Sequence, residues 1–496
     1  MPSSHGKSAV IGGCKALLLC CPILVFLIVV LLLPIGIWNC PSSSSSLRLL
    51  LSSSFSSSFS LDESRSEIES DDDDSPTNLS HLVFGLLGSE KAWRHRKAYV
   101  ESWWRPNATV GFLLLDKPPG DELLPWPPSS PPYRVSDNVS RVVEETNHVN
   151  PRVARMVHGI METVRDAPQR VTGTPLRWVV MGDDDSIFMV DNLVDVLAQY
   201  DHTKYYYLGG HSEFIPANYH FSFKQAFGGA GIVLSFPLAM AMADGIMDCL
   251  KRYSHLNSAD KTTGYCIADL GVNLSPHQGF HQIDMHGDIS GFLSYHPNAP
   301  LISLHHFDKV TPIFPSMTRP ESARHFMAAA NSDQPRMLQQ LVCFHRPRNW
   351  SFSIAWGYSA NIYENILPRS YLQKPIETFR TWGPSPRPPH WIFDVRKRTT
   401  TDPCLVPHAF FLESSSVEED GIVTTYRRSW RRGLPACFAG DGDQSADRIS
   451  KIVVYSPVTK PAKIGRSECC DVTIDSVESE SAVIKTRRCM ADDIIA

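Results

Sequence analysis

The sequence predicts an α/β fold, doubly wound around a largely parallel sheet, and three observations predict it. Apolar strand-like runs alternate with helical periodicity through the middle of the chain. One run, Trp178 to Met181, stops at Gly182 and delivers three consecutive carboxylates, Asp183, Asp184 and Asp185. In the helix that follows, Leu193, Val196, Leu197 and Tyr200 fall on one apolar face. A strand that ends in acid and feeds a helix places its carboxylates at the carboxyl edge of an open sheet, where such sheets bind ligands. Adjacent anions repel, so a cation must compensate them; a divalent metal shared with substrate phosphates does so. Acid at a helix start also has a plainer use, since it favours the macrodipole. The strand before the triplet and the helix after it favour the metal.

The other elements follow in order. Leu82 to Leu87 reads as a strand, Ser89 as an N-cap and Glu90 to Trp104 as a helix. Val110 to Leu115 is a second strand, ending in Asp116. Asn150-Pro151 opens a helix with proline in its first turn and Met156, Val157, Ile160, Met161 and Val164 on one face. Tyr205 to Leu208 and Ile232 to Leu234 are further strands, and Pro237 begins a helix that runs to about Tyr253. No dinucleotide GxGxxG follows the first strand, where the chain reads FGLLGSE. Gly228, Gly229 and Gly231 mark a turn: either a tight strand entry or a ligand-facing loop near the acidic strand edge. A histidine-rich stretch comes next, in which His305 and His306 end an apolar strand, as the aspartates do.

The chain has 496 residues, 47 basic against 52 acidic, and a formal net charge of -5. It shows no basic stripe and no aromatic–basic array, which argues against nucleic acid as a partner. Residues 1–15 read as a cytosolic tail. Residues 16–38 form an apolar run long enough to span a bilayer, with Pro22 and Pro34 inside it. A cleaved signal peptide competes with that reading, but no small-residue cleavage site follows. Lys7 and Lys15 precede the span, so the N-terminus is expected in the cytosol and the rest in the lumen. Residues 39–80, serine-rich and then acidic, read as a flexible stem. Sequons at Asn78, Asn107, Asn138, Asn273 and Asn349 and eight of the twelve cysteines lie beyond the span. Among these cysteines, Cys249 and Cys266 are candidates for a bridge tying a long helix to the next element. Residues 315–496 hold the other six and read as a disulfide-braced α+β or β-rich region packed on residues 81–314.

DDDS after an apolar strand, FGGAGIVLS, DKTTGY and SLHHFD, in that order, resemble the fringe-type β-1,3-glycosyltransferases, nearest their plant relatives of unassigned substrate. EKAWRHRKAYVESWW resembles that family's first helix, with Ser102-Trp103 at its Thr-Trp position. The resemblance covers about residues 81–314 and, for the plant branch, continues over RNWSFSIAWGYSANIY to the C-terminus. It implies a GT-A fold, a Mn²⁺ ion, a UDP-sugar donor, a glycan, glycoprotein or polysaccharide acceptor, inversion at the anomeric carbon, and a single-pass type II protein of the Golgi membrane. Carried over by position, it makes Asp183, Asp185 and His305 the metal ligands, with His306 and then His281 as substitutes for His305. It puts Arg96, Asp183, Asp184, Gly229 and Gly231 at the donor, with Asp184 near the ribose or sugar, and makes Asp260 the general base, on a different loop from the triplet. Phe227 and Trp356 are either sugar platforms or core. The rival expectation is a lumenal glycan-binding or scaffold protein that kept the fold and lost turnover.

Overall fold

A computed structural model describes residues 75–167, 175–295, 299–385, 387–438, 445–458, 468–474, 480–491 and 493. The expected cytosolic tail, membrane span and most of the stem lie outside them. Among the described residues no helix is long and apolar enough to cross a membrane. Asp73–Ala496 forms one compact unit of mixed α/β structure with four disulfides.

Its first sheet is built from strands β1 (Leu82–Leu87), β2 (Val110–Leu115), β3 (Tyr133–Val135) and β4 (Trp178–Asp183). The chain then forms the short β5 (Ile187–Phe188), followed by β6 (Tyr207–Gly209), β7 (Ile232–Ser235) and β8 (Leu274–Pro276). The strand order is β3-β2-β1-β4-β7-β6-β8. All neighbours are parallel except β7, which runs antiparallel to both β4 and β6. That reversal matters for the site. It brings the turn before β7 beside the carboxyl end of β4, because Ile232 pairs with Met181. A ribbon of β5, β9 (Phe280–Gln282) and β11 (Ser303–His305) lies alongside, while β10 (Met285–Gly287) pairs with Phe379–Thr381.

The expected helices form where their caps and faces dictate. Ser89 Oγ accepts from Ala92 N and opens the helix Glu90–Glu101, slightly shorter than the apolar pattern suggested. Asn150 caps Pro151–Asp166, which buries Val153, Val157 and Ile160 against the sheet's other face. The globular part begins earlier than the expected stem boundary. Arg177 Nη1 donates to Ser75 O at 2.7 Å, and Asn78 caps the turn Leu79–His81, so these residues are tied to the sheet. Asn78 and Asn138 both act as helix caps. Asn78, Asn107, Asn138 and Asn273 are exposed, and Asn349 is half-buried.

Beyond the helix Arg319–Ser332 the chain folds into an eight-stranded sheet running from Gln340–His345 to Ser481–Arg487. Its apolar residues, among them Trp350, Phe352, Ile354 and Tyr426, belong to the same core as β1, β4 and β11. Cys249 bonds Cys266, as expected. The adjacent Cys469 and Cys470 go to separate partners, Cys489 and Cys343, and Cys404 bonds Cys437.

Candidate metal centre and adjoining cleft

The triplet at the end of β4 divides its work. Ser186 Oγ accepts from Asp183 N at 2.8 Å and donates to Gly229 O at 2.6 Å, which ties the triplet turn to the glycine turn before β7. Trp103 Nε1 donates to Ser186 O at 2.8 Å and holds the same turn from beneath. Asp183 and Asp185 converge on His305, at the end of β11. Their donor atoms all lie within 4.8 Å of one another. His305 Nε2 stands 3.2 Å from Asp185 Oδ1 and 3.6 Å from Asp183 Oδ2.

His305 is in that place because of strand alternation. In β9, Gln282 pairs with His305 and its Oε1 lies 2.9 Å from His305 Nδ1. With Nδ1 facing that carbonyl, Nε2 is the nitrogen directed at the carboxylates, the usual orientation behind a metal-bound imidazole. Gln282 Nε2 donates to Asp284 Oδ1, and Asp284 Oδ2 accepts from Ser212 Oγ, which extends the support outward. Gly229 is required next to the ring: a Cβ there would stand 2.0 Å from His305 Cε1. Gly231 has φ +112, a backbone setting that favours glycine.

The substitutes for His305 point elsewhere. His281 is one residue out of phase with Gln282, so it faces the opposite side of β9, where its Nδ1 lies 2.6 Å from Glu213 Oε1. His306 Nδ1 lies 3.0 Å from Asp284 Oδ1. Asp184 also turns from the cluster: Arg96 Nη1 lies 2.8 Å from its Oδ1, and Ser89 N donates to its Oδ2. Arg96 further bonds Asp185 at 3.2 Å and Asp308 at 2.7 Å. It thus holds three carboxylates together instead of standing free in the cleft.

The electrostatics follow from crowding and burial. Burial pushes Asp183 up to about 7, with His305 opposing and the neighbouring carboxylates adding. Burial works against the His305 cation, yet Asp185 and then Asp183 lift it to about 9. Asp185 is held well below the ordinary carboxylate range, the His305 and Arg96 charges overcoming its burial. Its Oδ2 is buried with no hydrogen-bond partner. Two converging carboxylates, one oriented imidazole and an orphaned buried oxygen together fit a divalent cation.

Asp260 is in the first turn of the helix Ala259–Asp269, not on a loop, and its Oδ1 accepts from Gly228 N at 2.9 Å. The glycine turn therefore joins all three parts: Gly228 to Asp260, Gly229 to Ser186 and His305. Burial pushes Asp260 up to about 6 against that hydrogen bond. On the other side of the triplet, at the carboxyl ends of β1, β2 and β4, a cleft of 1170 Å³ is lined by Asp183, Asp184, Arg152, Arg155, Lys309 and Arg319, among others.

Phe227 and Trp356 are both core, at 5% and 2% exposure. The aromatic residue that reaches the centre is Trp382, from the proline-rich loop of the later half. Its ring stacks on His306 (4.5 Å, 8°) and on His286 (4.6 Å, 15°), and His306 stacks on His305 at 3.9 Å. Sequence reasoning missed Trp382, Gln282 and Asp308 as site residues. Only Asp308 carried a signal, as the last residue of SLHHFD.

Among curated proteins, none matches the chain. One family profile does, over residues 217–470, just over half of the 496. The matched span contains the glycine turn, Asp260, His305 and Trp382, and the Asp triplet precedes it. By that match the chain belongs to the family described as "Protein of unknown function, DUF604".

Proposed function

We propose that this protein is a glycosyltransferase of the GT-A type, related to the fringe-type β-1,3-glycosyltransferases, that transfers a sugar from a UDP-sugar to a hydroxyl of a glycan or glycoconjugate. The observation that carries the reading is the convergence of Asp183, Asp185 and His305 beside a cation-lined cleft at the sheet's carboxyl edge. Asp183, Asp185 and His305 would hold Mn²⁺ or a similar ion, which supplies Lewis-acid stabilisation of charge on a departing diphosphate. Arg152, Arg155, Lys309 and Arg319 line the cleft where the anionic part of the donor would lie.

Asp260 takes the proton of the acceptor hydroxyl as its oxygen attacks the anomeric carbon. The new C–O bond forms as the bond to the diphosphate oxygen breaks, and the configuration inverts. A carboxyl that ionises near 6 is a base at neutral pH and a stronger one than an ordinary aspartate. The apolar run at 16–38 anchors the protein in the Golgi membrane with residues 81–496 in the lumen.

The test is metal-dependent release of UDP from a panel of UDP-sugars, with Asp185→Ala as control. Release with Mn²⁺ that Asp185→Ala abolishes supports the transferase. A folded protein that hydrolyses no donor and binds no Mn²⁺ overturns it in favour of a glycan-binding protein.

A further inference from the structure

A second cavity lies behind the metal-ligand ribbon, reached from the other face of β9. Its volume is 720 Å³, within the range of about 300–1,000 Å³ typical of small-molecule sites. Glu213 and His281 line it, both at 3% exposure, as do Phe292, Tyr295 and Phe393. The walls come from both halves of the chain, residues between His211 and Tyr295 on one side and between Gln340 and Asp394 on the other. The transfer chemistry proposed above uses none of these residues.

The charges of this cavity cancel. His281 Nδ1 lies 2.6 Å from Glu213 Oε1, so the pair carries no net charge whichever of the two holds the proton, and burial favours the uncharged form of each. At the mouth, Lys374 Nζ lies 3.4 Å from Asp394 Oδ2. A phosphate or nucleotide would find no uncompensated cation there, and a cationic ligand no uncompensated anion. What remains is a set of donors and acceptors beside an aromatic wall, in which Phe292 and Phe393 stack at 5.5 Å and 30°. A pyranose has the matching surfaces: hydroxyls around its rim for directional hydrogen bonds, and an apolar C–H face for a phenyl ring.

We infer that this cavity is a saccharide-binding site, distinct from the metal centre, that holds a neutral sugar residue of a glycan. The inference does not depend on turnover at the metal centre, since a glycan-binding protein would use the site equally.

The experiment is titration of the full-length protein with neutral oligosaccharides (trimers of β-1,3- and β-1,4-linked glucose, xylose, galactose and N-acetylglucosamine), read by saturation-transfer NMR and calorimetry. At least one is expected to bind. Phe393→Ala should weaken it by roughly 3–10-fold, the loss of one aromatic contact. Ile392→Trp, at a rim position 46% exposed and so tolerant of substitution, should block entry. Asp185→Asn and removal of divalent metal should leave binding unchanged. The inference is overturned if no member of the panel binds, if binding ignores both Phe393→Ala and Ile392→Trp, or if Asp185→Asn abolishes it. That last result would place the glycan in the metal cleft. Failure of UDP release, by contrast, would sink the transferase and leave this site standing.

Discussion

Asp260 shows how one side chain acquires a role from its surroundings. An exposed aspartate ionises near 4 and is a weak base. Here burial pushes it to about 6, while Gly228 N–H holds one oxygen in place. If this carboxylate removes the acceptor's proton, only its ionised form is active. The value of kcat/KM should therefore climb with pH through about 6 and level off above it. Asp260→Asn should remove both that limb and most of the rate, by about 10²–10⁴-fold, while UDP binding measured by calorimetry stays near wild type. A variant that loses UDP binding to the same degree would make Asp260 a structural residue. The residue types of the centre were legible because acid and imidazole stand out at the ends of apolar runs. The choice among His281, His305 and His306 was not legible in the pattern alone, although the resemblance puts His305 first. It depends on which face of a three-residue strand points inward, and only the pairing of Gln282 with His305 fixes that.

Elements decide what the proline-rich loop near residue 382 does. Phe379–Thr381 pairs with β10 in a two-stranded ribbon and so carries Trp382 across to the histidines. There the indole completes a column of rings, His305, His306, Trp382 and His286. His306 stands at φ +71, an uncommon setting for a non-glycine residue, and the stack on either side of it maintains that pose. Trp382 is thus a positioning residue for His305. Trp382→Ala should weaken Mn²⁺ binding by roughly 3–10-fold, the worth of one aromatic stack, and Trp382→Phe should restore most of it. Counting free Mn²⁺ by electron paramagnetic resonance reads this directly. Equal affinity for all three proteins would confine the column to packing. Nothing in the local sequence could have shown this contact, since a strand pair nearly a hundred residues apart creates it. The same holds for β7: alternating strands and helices predict parallel neighbours, and the direction of one strand is set by packing on β4 and β6, not by its own pattern.

At the scale of the whole molecule, the later half of the chain completes the earlier one. One apolar core runs from β1 to the eight-stranded sheet, and Trp382 reaches back to the metal ligands. Glu364 is the polar knot of that later half. It is 2% exposed, yet five groups from four separate segments meet its two oxygens. His408 Nε2 and Arg432 Nη2 lie at 2.9 and 2.8 Å, and the N–H groups of Cys437 and Ala446 and the Ser445 hydroxyl donate to it. Cys437 is itself bonded to Cys404, so the carboxylate and the disulfide fasten the same loop. Burial opposes the charge, but His408 and the two backbone donors overcome it, and Glu364 falls to about 2. A carboxyl whose pKa is depressed on folding stabilises the protein wherever it is ionised in both states, which means above about 4.5. That contribution, on the order of 2 kcal/mol, is lost as pH falls from there through about 2. Glu364→Gln leaves Arg432 buried beside a neutral amide and should cost about 3 kcal/mol or more at pH 7. The diagnostic is the gap in urea midpoint between wild type and variant. It should be full at pH 7 and narrow steadily as the buffer is taken from about pH 4.5 toward pH 2. A gap that stays constant across that range would mean that shape, not charge, holds the knot together.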